Sequence, residues 1–400
     1  MKHKQDINQP PSLITAREWA ELSREERAEW RAVHPKHERV PIWCYVCYGL
    51  AALALIIYVV ARISPAFADF FNQNVSEIFR RVLAALTNPL PFSFGEACLL
   101  LLPLVFCLTV WYAAAYRCDT WRSTWSFVAI LLAVLSLALS MFVFTFATGY
   151  HGTSLDKKLE LDQKEVSAEE LYQTALILAE QVNLERESMT YGQDNFSVMP
   201  YSLSEMNDKL LIAYDGFCAE HAFIDHYNTR LKPVMLSELM NYTHITGVYS
   251  YFTGEANIDV AFPDYTIPYT AAHELAHQRG IAREDEANMV AFLVCINSDD
   301  AYIRYSAYLH MYEYVANALY VASPELYNDA RSTLDPQVRR EMVAYNGFFA
   351  KYQNSAAGSV SGAVNDTFLK FQGTEGTASY GMVVDLTVAY YKSLGLLQAE

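Results

Sequence analysis

The chain has 400 residues, 52% of them apolar and 18% charged, which excludes a single small domain and leaves room for two or three units. Its formal net charge is −16, and the acid is gathered towards one end: from residue 151 onward 34 Asp and Glu stand against 16 Lys and Arg, a net of −18, so the first 150 residues carry about +2. No basic stripe exists to meet phosphates, which argues against nucleic acid as a partner.

In chain order, residues 1–40 carry Lys2, Lys4, Arg17, Arg24, Arg27, Arg31, Lys36 and Arg39. Three uncharged apolar runs follow, at 41–61, 97–116 and 125–150. About 20 helical residues cross a hydrocarbon core of ~30 Å, so each run predicts a transmembrane helix, and the whole predicts a membrane domain over 41–150. Arg117 and Arg122 in the second loop, with the lysines and arginines of the N-terminus, place both on the cytoplasmic side. The loop 62–96 then faces outward, although Arg80 and Arg81 weaken the contrast. Residues 151–400 are expected to be extracytoplasmic. Ala66-Phe67-Ala68 resembles a signal-peptidase site, but the 21-residue run and Arg62 before it favour an uncleaved anchor.

The seven cysteines form no disulfide framework. Cys44 and Cys47 have CxxC spacing inside an apolar helix and read as two small buried residues. Cys218 and Cys295 fall in the acidic part and can pair there if it lies outside the cell.

Over 165–190 a helix is predicted, with Ser167 as cap, Glu169-Glu170 behind it, and an apolar stripe of Leu171, Ala175, Leu176, Leu178, Ala179 and Val182. Residues 190–265 are rich in Tyr, Thr, Val and turn residues, and short strands are expected at 232–237 and 247–253. From 270 to 397 the pattern is helical, with breaks near Ser323-Pro324, Pro336 and the small-residue stretch 355–362.

The chemistry is concentrated in residues 270–280, TAAHELAHQRG. His273 and His277 are four apart, so on a helix they share one face and can grip one ion. Glu274 follows the first of them and is placed to take a proton from a zinc-activated water. Gly280 supplies a helix stop. A catalytic zinc needs a third protein ligand. Glu284 is nominated, at the start of a second helix, with Asn288 one turn on as the side chain that steadies it. Glu286 lies about 200° round from Glu284 and is the alternative ligand. Downstream, Tyr380 is the first candidate for stabilising an oxyanion and His310 the second. Tyr302, Tyr305, Tyr308 and Tyr312 have helical spacing and read as core or groove wall.

HELAH followed by Glu284–Asn288 (ExxAN) resembles the gluzincin class of zinc peptidases. Metzincins share H-E-x-x-H-x-x-G, but their third ligand would fall on Arg283, which cannot bind zinc. A resemblance covering most of the chain is to a bacterial membrane family known as domain of unknown function 3810. It is carried by PFSFGE at 91–96, TGEAN at 253–257, HELAHQRGIAREDEAN at 273–288 and SYGMVVDL at 379–386. The resemblance implies a Zn2+ site, a membrane anchor and an edge strand before the HExxH helix. On that strand Gly254 and Asn257 would hold a substrate backbone.

The expectation is therefore a three-span α-helical membrane part followed by a mainly α, α+β zincin-like metallopeptidase domain with a small edge sheet. Its function would be that of a membrane-anchored zinc hydrolase in contact with membrane lipid, acting on a peptide or protein substrate. A zinc-binding sensor or scaffold, and an amidase acting on cell-wall peptides, are the alternatives. The presence of Glu274 favours hydrolysis, since a structural metal has no use for a general base beside its ligand.

Overall fold

A computed structural model describes residues 21–33, 40–114, 121–376 and 381–397. It is mostly helical, with one small three-stranded sheet. Three helices are long and apolar enough to cross a membrane, Ile42–Ile63, Phe94–Tyr112 and Trp121–Thr145, which marks a membrane protein. The second and third spans start three and four residues before their apolar runs, because residues outside the runs complete the first helical turns, and the first starts one residue inside its run.

By its contacts the chain forms two compact units. The first comprises residues 1–55 and 97–140. Within it Cys44, Cys47 and Ala133 are buried together, and the Tyr48 hydroxyl donates to the Ala129 carbonyl at 2.5 Å. Both cysteines are free, consistent with small packing residues. The helix Phe94–Tyr112 has no buried residue.

The second unit comprises residues 56–96 and 141–400. Segment 64–96, which the sequence groups with the spans, is thus part of the same compact unit as the acidic C-terminal region. The reason is visible at Arg80, which is fully buried. Its Nε and Nη2 donate to Asp225 at 2.9 and 2.6 Å, and its Nη1 to the Asn72 side chain and the Thr145 carbonyl. Its Nη2 also reaches the Asn72 carbonyl. Asn72 opens a π-helical turn, Asn72–Ser76, and its Nδ2 donates to the Gly280 carbonyl at 2.9 Å. Read from sequence as a loop charge, Arg80 is instead the centre of an internal network. Arg81 beside it is exposed and pairs with Glu77 one turn away.

One large core joins helices Ala168–Arg186, Leu203–Glu220, Ile267–Gln278, Glu284–Ile296, Ala301–Ala322 and Val383–Ser393. The first begins at the expected cap, where Ser167 and Glu170 form a reciprocal capping box. Tyr305 and Tyr312 are buried in this core, Tyr302 is buried beside Ser197, and the Tyr305 hydroxyl donates to Glu341 at 2.5 Å. Cys218 and Cys295 are both free, so the possible pairing does not occur. The expected break at 355–362 falls earlier, at 350–355: Ser355 then caps a helix, Ala356–Phe371, because small residues still propagate a helix once it is capped.

The sheet has order β1-β3-β2, with β1 Lys232–Pro233, β2 Gly247–Ser250 and β3 Glu255–Ile258. β1 runs parallel to β3, and β2 antiparallel to it with Gly247 opposite Ile258 and Ser250 opposite Glu255. This corrects the expected substrate strand. The strand that carries Asn257 is central and wholly buried, so both its edges are already paired. The Asn257 amide donates to the Val248 and Glu255 carbonyls. Gly254 sits at φ +71°, where a Cβ would come within 2.6 Å of the Ala84 nitrogen. Its carbonyl accepts from Gln278. Both residues serve the fold. The Glu255 carboxylate likewise accepts the N–H groups of Phe94 and Gly95, which explains why PFSFGE and TGEAN occur in one chain. Among the described residues β1 and β2 are the two edge strands, and β2 is the longer.

Candidate metal centre

The helix Ile267–Gln278 starts with Pro268 in its first turn, a position where a missing N–H costs nothing. All twelve of its residues are buried, and it packs against β2, β3 and the helix Glu284–Ile296. Gly280 ends it at φ +93°, a conformation that other residues rarely adopt. A side chain there would also collide with Arg80, whose Nη2 lies 2.6 Å from the Cβ position. The turn then reverses through extended Arg283, and the next helix begins at Glu284.

That reversal brings His273, His277 and Glu284 together, with one ligand atom from each lying within 4.8 Å of the others. Glu284 Oε2 is 3.1 Å from His273 Nε2 and 3.3 Å from His277 Nε2. The expected pair of histidines and its expected acidic neighbour thus share one point. Glu286 points elsewhere and accepts the Leu155 N–H at 3.0 Å.

The hydrogen bonding of His277 defines what this point can hold. Its Nδ1 is 2.7 Å from the Ile281 carbonyl. A carbonyl can only accept, so Nδ1 carries the proton and neutral Nε2 presents a lone pair. That lone pair faces a carboxylate oxygen, and two acceptors at this distance require a positive charge between them. A proton can serve: burial lowers the His277 pKa, but the Glu284 carboxylate outweighs it and raises the value to about 9. Burial would raise Glu284, yet the two histidines hold it below the usual carboxylate range. A divalent cation would serve the same need. Two imidazole nitrogens and one carboxylate oxygen are the donor set of a zinc site that keeps a fourth position open. The edge of the Phe146 ring backs His277, with centroids 5.8 Å apart.

Glu274 lies against the edge strand β2. Its carboxylate lies near the Tyr249 backbone. A Cβ on Gly247 would stand only 2.7 Å from both its Cγ and Oε1, so glycine at 247 is what lets the carboxylate lie there. Its Oε2 is buried and has no partner among the described residues. Burial raises the Glu274 pKa, partly offset by the two histidines, which makes it a readier proton acceptor than a solvated glutamate.

His273 and Glu274 open onto a cleft of about 440 Å3. Residues 244–247 line one wall, and Tyr269, Thr270 and Asn288 line another. The helix Ala301–Ala322 contributes His310, Glu313, Tyr314 and Asn317, which share one face at i, i+3, i+4 and i+7. Asn288 is buried beside Tyr314. Its backbone carbonyl accepts from the Tyr269 hydroxyl. His310 lines the cleft, stacks on Tyr269 at 4.7 Å and donates from Nδ1 to the Ser306 carbonyl. Tyr380 lies outside the described residues. Sequence reasoning missed Gly247, Glu313 and Tyr314. The last two were within reach, because they stand one turn beyond His310.

The fold and site together define a membrane protein in which two histidines of an HExxH helix meet a glutamate at the start of the next helix. The chain belongs to the family described as Protein of unknown function (DUF3810), whose sequence model matches residues 71–388. The matched span takes in Asn72 and Arg80 as well as the cluster, and begins after the first apolar helix. Comparison with curated proteins and with solved structures gives no match.

Proposed function

We propose that this protein is a membrane-anchored zinc-dependent peptidase with a zincin-like catalytic region. The observation that carries the reading is the convergence of His273, His277 and Glu284 on one point with Glu274 beside it, its Oε2 unpartnered among the described residues. A purely structural zinc would take a fourth protein ligand and would have no use for a general base beside it. Zinc, when bound, supplies Lewis acidity towards a carbonyl oxygen and lowers the pKa of water. Glu274 takes the proton of the attacking water and returns it to the leaving amine. The free edge of β2, which runs from the cleft wall at Gly247, offers backbone groups to an extended peptide. This moves the proposed substrate strand from residues 254–257 to 247–250. Tyr314 is the described hydroxyl that lines the cleft near Glu284, and with Tyr380 it is a candidate to stabilise an oxyanion. The lysines and arginines of the N-terminal flank support an orientation with residues 151–400 outside the cytoplasm.

The test uses the full chain in detergent, loaded with zinc and presented with a peptide library read by mass spectrometry. Wild-type protein is expected to bind one zinc and to cut peptides. Glu274→Gln should keep the zinc and lose at least ~100-fold in rate, whereas Glu284→Gln should lose the zinc. Full-rate cleavage by Glu274→Gln refutes the mechanism, and unchanged zinc content in Glu284→Gln refutes the ligand set.

A further inference from the structure

The cleft is lined by acids, amides, hydroxyls and aromatic rings, with no Lys or Arg among its lining residues. Beyond Glu274 its one carboxylate is Glu313. This side chain makes no hydrogen bond or ion pair among the described residues. By contrast, Glu341 accepts from Ser197 and Tyr305, and Asp225 from Arg80. The Glu313 side chain is half-buried and open to the cleft, so a ligand bound there can replace solvent as its donor. Burial, reinforced by the nearby charge of Glu341, pushes the Glu313 pKa up to about 8, as expected of an acid that lacks a cationic neighbour.

The surroundings of Glu313 suit a positive charge. Tyr314 and Tyr345 line the same cleft, and aromatic faces attract ammonium and guanidinium groups. Asn317, one turn beyond Glu313 on the same helix face, adds a neutral amide. A carboxylate ligand would find no lysine or arginine in the cleft to pair with.

Resting on the peptidase reading, we propose that Glu313 is a specificity-determining residue: it selects substrates that place a cationic nitrogen in this cleft. The cation is either a Lys or Arg side chain or a free amino terminus, which share the same recognition chemistry. Glu313 makes a charge-assisted hydrogen bond to the nitrogen, with Tyr314 and Tyr345 flanking it.

The experiment uses the zinc-loaded full chain in detergent and two matched peptide libraries, one N-acetylated and one with free amino termini, read for cleavage site and rate. The wild type is expected to prefer peptides with the cation over neutral analogues by about tenfold. Preference in the acetylated library identifies a side chain, and preference confined to the free library identifies the amino terminus. Glu313→Gln should bring the ratio below about threefold, and Glu313→Lys should turn it in favour of acidic residues. Zinc content and melting temperature, measured on each variant, establish that it is folded. Cleavage by the wild type without regard to charge, or an unchanged ratio in folded Glu313→Gln, overturns the proposal and leaves the peptidase reading standing. A wild type that binds zinc and cuts neither library overturns both.

Discussion

Replacing Gly247 with alanine tests the geometry of the centre without touching a ligand. The backbone at Gly247 is not among the left-handed glycines, so alanine is allowed there, and within a strand it would ordinarily gain a few tenths of a kcal/mol. What opposes it is Glu274, whose Cγ and Oε1 lie 2.7 Å from the new Cβ and whose Cδ lies at 3.0 Å. Comfortable contact between carbon atoms is about 3.5–4.0 Å, so the carboxylate must retreat by roughly 1 Å. Overpacking of this kind costs about 1–3 kcal/mol, and turning Glu274 away from the strand relieves most of it. The ligands are on other elements and stay where they are. The expected result is one bound zinc, a small change in melting temperature and a fall in peptide hydrolysis of about 100-fold, the penalty of a 1 Å misplacement. The assay is zinc analysis and library cleavage on the same preparation. Activity within threefold of wild type, or loss of zinc in step with activity, would refute the assignment of Gly247 as the seat of Glu274.

Arg80→Met should be far more damaging to folding than to any charge-based topology. It leaves Asp225 buried and unpaired, a loss of about 3–5 kcal/mol that lowers the melting temperature by on the order of 10 °C; a fall of less than about 3 °C would show that the network is not stabilising. Adding Asp225→Leu to Arg80→Met should recover part of that loss, which the same melting measurement reads. His310 predicts an acid sensitivity. Burial holds its pKa at about 4 despite the Ser306 carbonyl, below the value in an unfolded chain. The unfolded state therefore takes up the proton first, and the contribution is present above about pH 6.5 and lost as pH falls towards 4. By pH 5 the wild type should lose up to about 2 kcal/mol more than His310→Gln, read as the difference in their melting temperatures between pH 7.5 and pH 5; parallel pH profiles would count against a buried neutral imidazole.

Much of this protein was determined by its sequence alone, where the determining interactions are local. The three spans follow from uninterrupted apolar runs, because the length needed to cross a bilayer is counted along the chain. The capped helix from Ala168 follows from Ser167 and Glu170 for the same reason, since a cap bonds within one turn. The association of His273 with His277 needs only the helical period. Glu284 was legible because one glycine turn separates it from that helix, so few backbone arrangements had to be considered.

Tertiary structure alone decided the rest. The strand order is non-local: Glu255–Ile258 is central because Lys232–Pro233 returns from some twenty-five residues away to pair with its far side, and no local pattern distinguishes a central strand of four residues from an edge. Arg80 reads as a loop charge until Asp225, 145 residues downstream, is placed against it. Gly247 reads as a turn residue until the Glu274 side chain occupies the space where its Cβ would be. The HELAH segment could be found by its spacing, but the cleft before it, with Glu313 on the opposite wall, exists only because the helix from Ala301 folds back across residues 244–247 and 269–274.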